Sequence, residues 1–305
     1  MQLKNAAAAE ILSDIERIRC DRTLLLEKNF IARTEAIDVL EFHVIERIDA
    51  LPENSNSPER MNKLMNDAMR LKFDLEGLNA SLFHRLRSKI SCEGLRDQRL
   101  TDLLEEYLGC PLRSFFQPET VGYDHLDLLL NGVLNFQNLP VETKGREPDM
   151  VFYQKTPARV VFELINKAAF KPDDIFFDLG SGLGQVVMLV NLFANVTSIG
   201  IEYEPTFCDY AKNVAAGLNL DKVSFINADA RDSDYSTGTV FFMYTPFEGK
   251  MLRDTIQKLH REALKRKIKI FTYGPCTQVI VQEEWLIKTS GSNEEFGEFQ
   301  TAGCI

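Results

Sequence analysis

The chain has 305 residues, 45% hydrophobic and 26% charged, the balance of an ordinary globular protein long enough for two domains. Its formal net charge of −10 argues against the broad basic face that nucleic-acid binding needs. Six scattered cysteines, with no Cys-x-x-Cys and no nearby His spacing, exclude a zinc site and a disulfide frame and predict reduced thiols, so no metal is expected. Met1 to Asp14 lacks the apolar core of a signal peptide, and no later run is long enough to span a bilayer, so a cytoplasmic protein without membrane contact is expected.

From about Ala6 to Leu51 there is no Pro or Gly. Ile11, Ile15, Ile18 and Leu25, then Ile37, Leu40, Val44, Ile48 and Leu51, recur at the intervals of a helix with one apolar stripe, close to a coiled-coil seam. Pro52 to Pro58 breaks that pattern, and Ser57 reads as an N-cap with Pro58 at the first helical position. A second helix carries Met61, Leu64, Met65, Ala68, Leu71 and Leu75 on one side; it is expected to be interrupted near Gly77 and to resume toward Ile90. Two long helices joined by a short turn predict a hairpin domain over residues 1–92. That domain packs on the second half, or on a second copy of itself in a homo-oligomer, or serves as a substrate-recognition lid. His43 and His84 have no partner ligands in the pattern and read as surface or packing residues.

Residues 93–150 read as a connector: a short helix over Arg99–Leu108, then an aromatic stretch punctuated by Pro111, Pro118, Gly122, Gly132 and Pro140. Gly145-Arg146-Glu147-Pro148 is the last strong turn before the rhythm changes. From 151 to 305 strands and helices alternate. A helix over Pro157–Ala169 precedes a strand at Ile175–Phe177. Further strands follow at Val196–Ile201, Val223–Ile226, Thr239–Met243 and Ile268–Tyr273, with helices from Pro205 to before Gly217 and over Lys250–Lys265. Trp285–Thr289 and Glu295–Gln300 read as a hairpin around Ser290-Gly291-Ser292-Asn293. Such alternation predicts an α/β fold, five parallel strands plus a C-terminal antiparallel hairpin, with ligands at the C-terminal strand ends. The basic cluster Lys258–Lys269 reads as a solvated helix end.

The first of these strands runs into Asp178-Leu179-Gly180-Ser181-Gly182-Leu183-Gly184-Gln185 and then an apolar helix. Alternate glycines between a buried strand and a helix let the backbone approach a ligand and aim the free N–H groups of the helix start at it. The spacing is Gly-x-Gly-x-Gly, not the Gly-x-Gly-x-x-Gly of dinucleotide sites. Asp178 at the mouth of the loop repels a pyrophosphate and suits a ligand carrying an ammonium group. Asp178, Glu202, Asp229 and Tyr244 each close a predicted strand. Glu202 follows the glycines by about the 20-residue interval at which an acid accepts two ribose hydroxyls.

The loop resembles the first motif of the class I S-adenosylmethionine-dependent methyltransferases, whose Rossmann-like sheet the second half also resembles. Asp-Leu-Gly-Ser-Gly-Leu-Gly-Gln-Val-Val is closer still to the first motif of the non-SET (Dot1-like) histone lysine methyltransferases. In that family a Tyr-x-x-Thr before the first strand helps cover the cofactor; Tyr153-Gln154-Lys155-Thr156 stands at that place, with an ordinary aromatic and an N-cap as the alternative. The resemblance implies S-adenosyl-L-methionine as cofactor, held by Tyr153, Thr156, Asp178, Gly180, Gly182, Gln185, Glu202 and Asp229. Asp178 would meet the methionine ammonium, Gln185 the methionine end, Glu202 the ribose and Asp229 the adenine amino group. The family's Phe-x-Asn-Asn-Phe after the fourth strand is replaced here by Phe242-Met243-Tyr244-Thr245-Pro246-Phe247, and Tyr244 and Thr245 become the candidates for orienting the methyl acceptor.

The reading is a methyltransferase acting on a protein or small-molecule acceptor. A nicotinamide oxidoreductase is disfavoured by the glycine spacing and Asp178. A helical scaffold protein with a cofactor-binding, catalytically weak second half stands as the alternative.

Overall fold

The computed structural model describes residues 2–50, 58–116, 122–136, 140–289 and 295–302. The expected break at Pro52–Ser57, Pro118, the turn Ser290–Asn293 and Cys304 lie outside them. The chain divides into two compact units, Met1–Leu86 with Asp102–Ser114, and Arg87–Thr101 with Phe115–Ile305.

The first unit is helical. It begins with α1 (Gln2–Cys20), a 3₁₀ turn (Arg22–Leu25), α2 (Phe30–Asp38), a π-helical stretch (Val39–Ile45) and α3 (Glu46–Asp49). It takes in α4 (Pro58–Glu93) as far as Leu86 and α5 (Asp97–Leu108) from Asp102. The expected continuous helix from Ala6 to Leu51 is therefore broken after Cys20. Asp21 turns the chain by accepting from Thr23 N at 2.9 Å and from Thr23 Oγ1 at 2.6 Å, a local bond that competes with the helix ladder. Arg33 satisfies the carbonyls the break leaves over: buried, it donates through Nη1 to Leu24 O and Leu26 O and through Nε to Asn79 Oδ1. The turn also shifts the stripe, so Leu24 is buried while Leu25 is 60% exposed. Gly77, expected to interrupt the second helix, lies inside the unbroken α4. Leu64, Ala68, Leu75, Leu82, Leu86 and Ile90 keep helical spacing across it, and that buried stripe outweighs the roughly 1 kcal/mol a helical glycine costs. Leu64, Ala68 and Leu75 share one core with Ile11, Ile15, Leu40 and Val44.

The second unit carries α6 (His125–Val133), α7 (Ala158–Ala168), β1 (Ile175–Leu179), α8 (Gln185–Ala194), β2 (Thr197–Glu202), α9 (Pro205–Gly217), β3 (Val223–Asn227), β4 (Val240–Tyr244), α10 (Gly249–Ala263), β5 (Lys269–Tyr273), α11 (Cys276–Ile280), β6 (Leu286–Lys288) and β7 (Phe296–Thr301). Its sheet has seven strands in the order β3-β2-β1-β4-β5-β7-β6. β1 to β5 are parallel, and β7 runs antiparallel between β5 and β6. This is the expected α/β, Rossmann-like sheet closed by an antiparallel pair. The order reverses at β1, whose neighbours are β2 and β4, so the crevice for a ligand opens at the C-terminal ends of these strands. β1 is buried on both faces, as its continuous apolar run requires. Phe177 and Leu179 pack with Phe241, Met243 and Ile270 against Leu252, Ile256 and Leu259 of α10. On β1 and β2 packs α8, itself almost wholly buried.

Three local readings are corrected. Asp178 sits inside β1, with Leu179 closing the strand, because its peptide pairs in register with Gly200. Gly217 ends α9 from within, and the left-handed turn falls on Asn219. The aromatic connector contains the helix α6, started by a capping box between Asp124 and Asp127 that the residue pattern Asp-x-x-Asp carries. In the basic cluster Lys258 donates to Arg231 O, and Arg266 donates to Gly238 O and pairs with Glu262, so those two are tied to the fold.

Candidate functional site

A cavity of about 420 Å³ opens where β1, β2 and β4 end, lined by the glycine loop, the strip around Tyr153 and the turn after β4. It falls within the size range of small-molecule sites. The loop's shape depends on having no side chain at two positions. At Gly180 (φ 80°) a Cβ would come within 2.3 Å of Pro246 Cβ, and at Gly182 (φ 52°) within 2.3 Å of Tyr153 Cε2. The glycines thus let the turn after β4 and the Tyr153 ring close directly on the backbone.

Among the carboxylates lining this cavity, Asp178 and Glu202 are buried beside the glycine loop. Glu202, at the end of β2, accepts from Gly182 N through Oε2 and from Glu204 N through Oε1, both at 2.7 Å. Burial still pushes its carboxyl up, the backbone N–H groups pulling the other way. Asp178 is 3% exposed, and its carboxylate receives no hydrogen bond from the described residues. Burial, with Glu202 nearby adding like-charge repulsion, pushes its carboxyl up to about 8. Around them are buried polar atoms without partners: Tyr153 Oη, Ser181 Oγ and Gln185 Oε1. Gln185 Nε2 is turned the other way, donating to Asn131 Oδ1 of α6 at 3.4 Å. Buried groups of this kind are ordinarily satisfied, so their convergence on one cavity marks a ligand site.

The strip from residue 140 to 157 borders the cavity and is anchored at several points. Glu204, which caps α9, also accepts from Thr143 Oγ1 and Lys144 N at 2.8 Å. Asp149 caps α10 from a distance, accepting from Lys250 N at 2.8 Å and Met251 N at 3.2 Å. Val151 N donates to Pro246 O, and Met150 bridges to Phe247. Thr156 is buried on the cavity wall but does not cap α7. The cap position is Pro157, and Asp127 of α6 accepts from Ala158 N instead.

At the end beyond β3, Asp229 lines the cavity with its carboxylate held by Arg231, Oδ1 taking the backbone N–H and Nε and Oδ2 taking Nη2 at 2.6 Å. The Arg231 hydrogen bond holds Asp229 below the usual carboxylate range, and Arg231 also reaches Glu147. At the other end Tyr244 lies against Tyr273, ring centroids 4.8 Å apart, and partial burial pushes its phenol up to about 12. Thr245 is buried with its hydroxyl engaged by the backbone, donating to Tyr273 O at 2.9 Å and accepting from Cys276 N at 3.2 Å. Its φ of 36° puts a β-branched residue in the left-handed region, a strained conformation at the cavity edge.

All the residues expected to bind a cofactor therefore meet at one cavity, and Tyr244 and Thr245 border it. Ser181, Glu204, Arg231 and Tyr273 were not foreseen. Ser181 sits inside the glycine run and could have been read from it; Glu204 and Arg231 each stand two residues from a foreseen acid, and Tyr273 is brought in by the pairing of β5 with β4. Among the described residues no cluster of His, Cys, Asp and Glu is arranged to hold a metal. No helix of the described residues is long and apolar enough to cross a membrane.

Residues 149–238 match the family model described as histone methylation protein DOT1. The matched stretch runs from the strip before Tyr153 through the glycine loop, Glu202 and Asp229, and stops before β4, so Tyr244 and Thr245 fall outside it. A histone-lysine N-methyltransferase, H3 lysine-79 specific, from Dictyostelium discoideum is 26% identical over 122 residues, 35% of this chain and 7% of that relative's length. The chain is also similar in structure to an RNA methyltransferase from Salinibacter ruber in complex with S-adenosyl-L-homocysteine. That likeness has 21% identity, covers 48% of this chain and 92% of the other, and has a TM-score of 0.36. A putative S-adenosyl-L-methionine-dependent methyltransferase from Methanococcus maripaludis is 11% identical over 47% of this chain and 83% of its own, with a TM-score of 0.39.

Proposed function

We propose that the chain is an S-adenosylmethionine-dependent methyltransferase with a protein acceptor. The observation that carries this reading is the pair of buried, acid-side carboxylates, Asp178 and Glu202, under a glycine loop with unpartnered polar atoms around them. Such a pair favours a ligand with a cationic amino-acid end, which draws Asp178 into its ionised form on binding, and a ribose diol. The residues present fit that cofactor. Asp178 and Gln185 Oε1 supply acceptors for an ammonium, and Glu202 keeps lone pairs free for hydroxyls while holding Gly182. Asp229, engaged with Arg231, offers its remaining acceptor capacity at the far end. The pattern of the matched family supports a protein acceptor, with histone lysine as the first candidate to try.

The bound cofactor would supply an activated methyl group, and the chain supplies alignment and exclusion of water. Tyr153 closes on the loop, while Tyr244 and Tyr273 wall the end where an acceptor would enter. Tyr244 is the residue we assign to orienting the acceptor. Thr245 fixes the turn that presents it, through Tyr273 O and Cys276 N. We keep a cytoplasmic location and pairing of two copies through the N-terminal helices within the proposal, tested by cell fractionation and by sedimentation.

The reading is tested by titrating the chain with S-adenosylmethionine and separately with NADH, then following labelled methyl transfer to histones and to a small-molecule panel. Binding of the first cofactor alone, with label on protein, is expected. NADH binding, or cofactor binding with label on no acceptor, would favour the oxidoreductase or the scaffold reading respectively.

A further inference from the structure

Asp127 is a buried titratable group that the mechanism leaves unused. It is 1% exposed, lies on α6 and does not line the cavity. Its carboxylate joins two helix starts: Oδ1 accepts from Ala158 N of α7 at 2.7 Å, and Oδ2 accepts from Asp124 N of its own helix at 3.1 Å. α7 has no side-chain cap of its own, since Pro157 occupies that position. Burial raises the Asp127 carboxyl to about 6 and disfavours its charge, so the carboxylate is kept there at a cost in stability.

Other groups of α6 and its flanks reach the same strip. Tyr123 Oη donates to Lys155 O at 2.7 Å, and Lys155 Nζ donates to Phe136 O at 3.4 Å. One helical turn on from Asp127, and so on the same face, Asn131 meets Gln185. The segment pinned in this way, Tyr153 to Thr156, is the one whose Tyr153 ring rests where a side chain at Gly182 would be.

We propose that Asp127 is a positioning residue of the cofactor site, holding the Tyr153–Thr156 strip closed on the glycine loop without touching the ligand. This rests on the S-adenosylmethionine reading above. Without the cap the first turn of α7 frays, the strip lifts, and the binding-competent fraction of the chain falls, which raises the apparent Kd by the same factor.

The test compares full-length wild type, Asp127→Ala, Asp127→Asn and a control, Asp174→Ala. Asp174 accepts from Lys171 N and Thr239 Oγ1 at the opposite end of β1, so its loss is expected to lower Tm alone. Asp127→Ala is expected to raise the Kd for S-adenosylmethionine about tenfold, while Asp127→Asn, which keeps an acceptor for Ala158 N, stays within about threefold of wild type. Hydrogen exchange at the amides of 153–156 and 158 in the ligand-free chain speeds up in Asp127→Ala only. If that variant does not fold, Tyr123→Phe, which removes the hydroxyl's bonds to Lys155 O and to the Gln154 side chain of the same strip, gives the same direction. An unchanged Kd in Asp127→Ala, or equal weakening by Asp174→Ala, overturns the proposal. If wild type does not bind S-adenosylmethionine the functional reading falls; faster exchange over the strip then still upholds the positioning, and unchanged exchange overturns it.

Discussion

Asp178 carries the electrostatic logic of the site. With its folded-state carboxyl raised to about 8 from the ordinary 3.8, the ligand-free chain binds a proton there that the unfolded chain gives up. Stability from this group therefore falls as pH rises from about 4 to about 8 and is level above that. Asp178→Asn removes the titration, so the variant's Tm relative to wild type should rise between pH 5 and pH 8, while cofactor binding is lost. A variant that loses stability equally at both values would contradict the assignment. Thr245 is the opposite case, a residue whose polar atom serves the fold. Thr245→Val removes the hydroxyl's bonds to Tyr273 O and Cys276 N and should cost about 1–3 kcal/mol in denaturant unfolding, while Thr245→Ser keeps both bonds and should cost less. Equal losses in the two would remove the hydroxyl from the account.

Elements differ in how far residues alone disclose them. β1, its glycine loop and α8 were legible because local pattern and tertiary role coincide: apolar run, alternate glycines, apolar helix. The site acids were legible for the same reason, each standing at or next to a strand end. α6 was missed although Asp124 and Asp127 form a capping box, because its leucine run has no helical period of its own. The break after Cys20 was also missed, since it is stabilised by Arg33 reaching back to Leu24 O and Leu26 O, a pairing no periodicity shows. α4 shows tertiary packing overriding local preference. Gly77 is exposed and a Cβ there would meet nothing within 4 Å. Gly77→Ala should therefore stabilise the chain by about 1 kcal/mol, read as a higher Tm; a lower Tm would mean that the helix needs a glycine at that point.

At the scale of the whole molecule, an acidic chain holds a cavity that is acidic too, so a cationic ligand is favoured by both. The site sits where the sheet order reverses, and the family likeness covers the cofactor side and ends before β4. The segment after β4 is this chain's own, with Tyr244 and Thr245 where the resembling family has asparagines. What binds in the cavity is thus the claim on which the rest depends. It is tested most directly by calorimetric titration with S-adenosylmethionine at pH 6, 7 and 8, in two buffers of different ionisation enthalpy. Pairing a cation with Asp178 forces the carboxyl to ionise, so close to one proton should be released per ligand at pH 7. Affinity should climb about tenfold per pH unit up to about pH 8, where the ligand's own amino group begins to lose its charge. Tight binding with no proton released, and equal affinity in Asp178→Asn, would contradict the account.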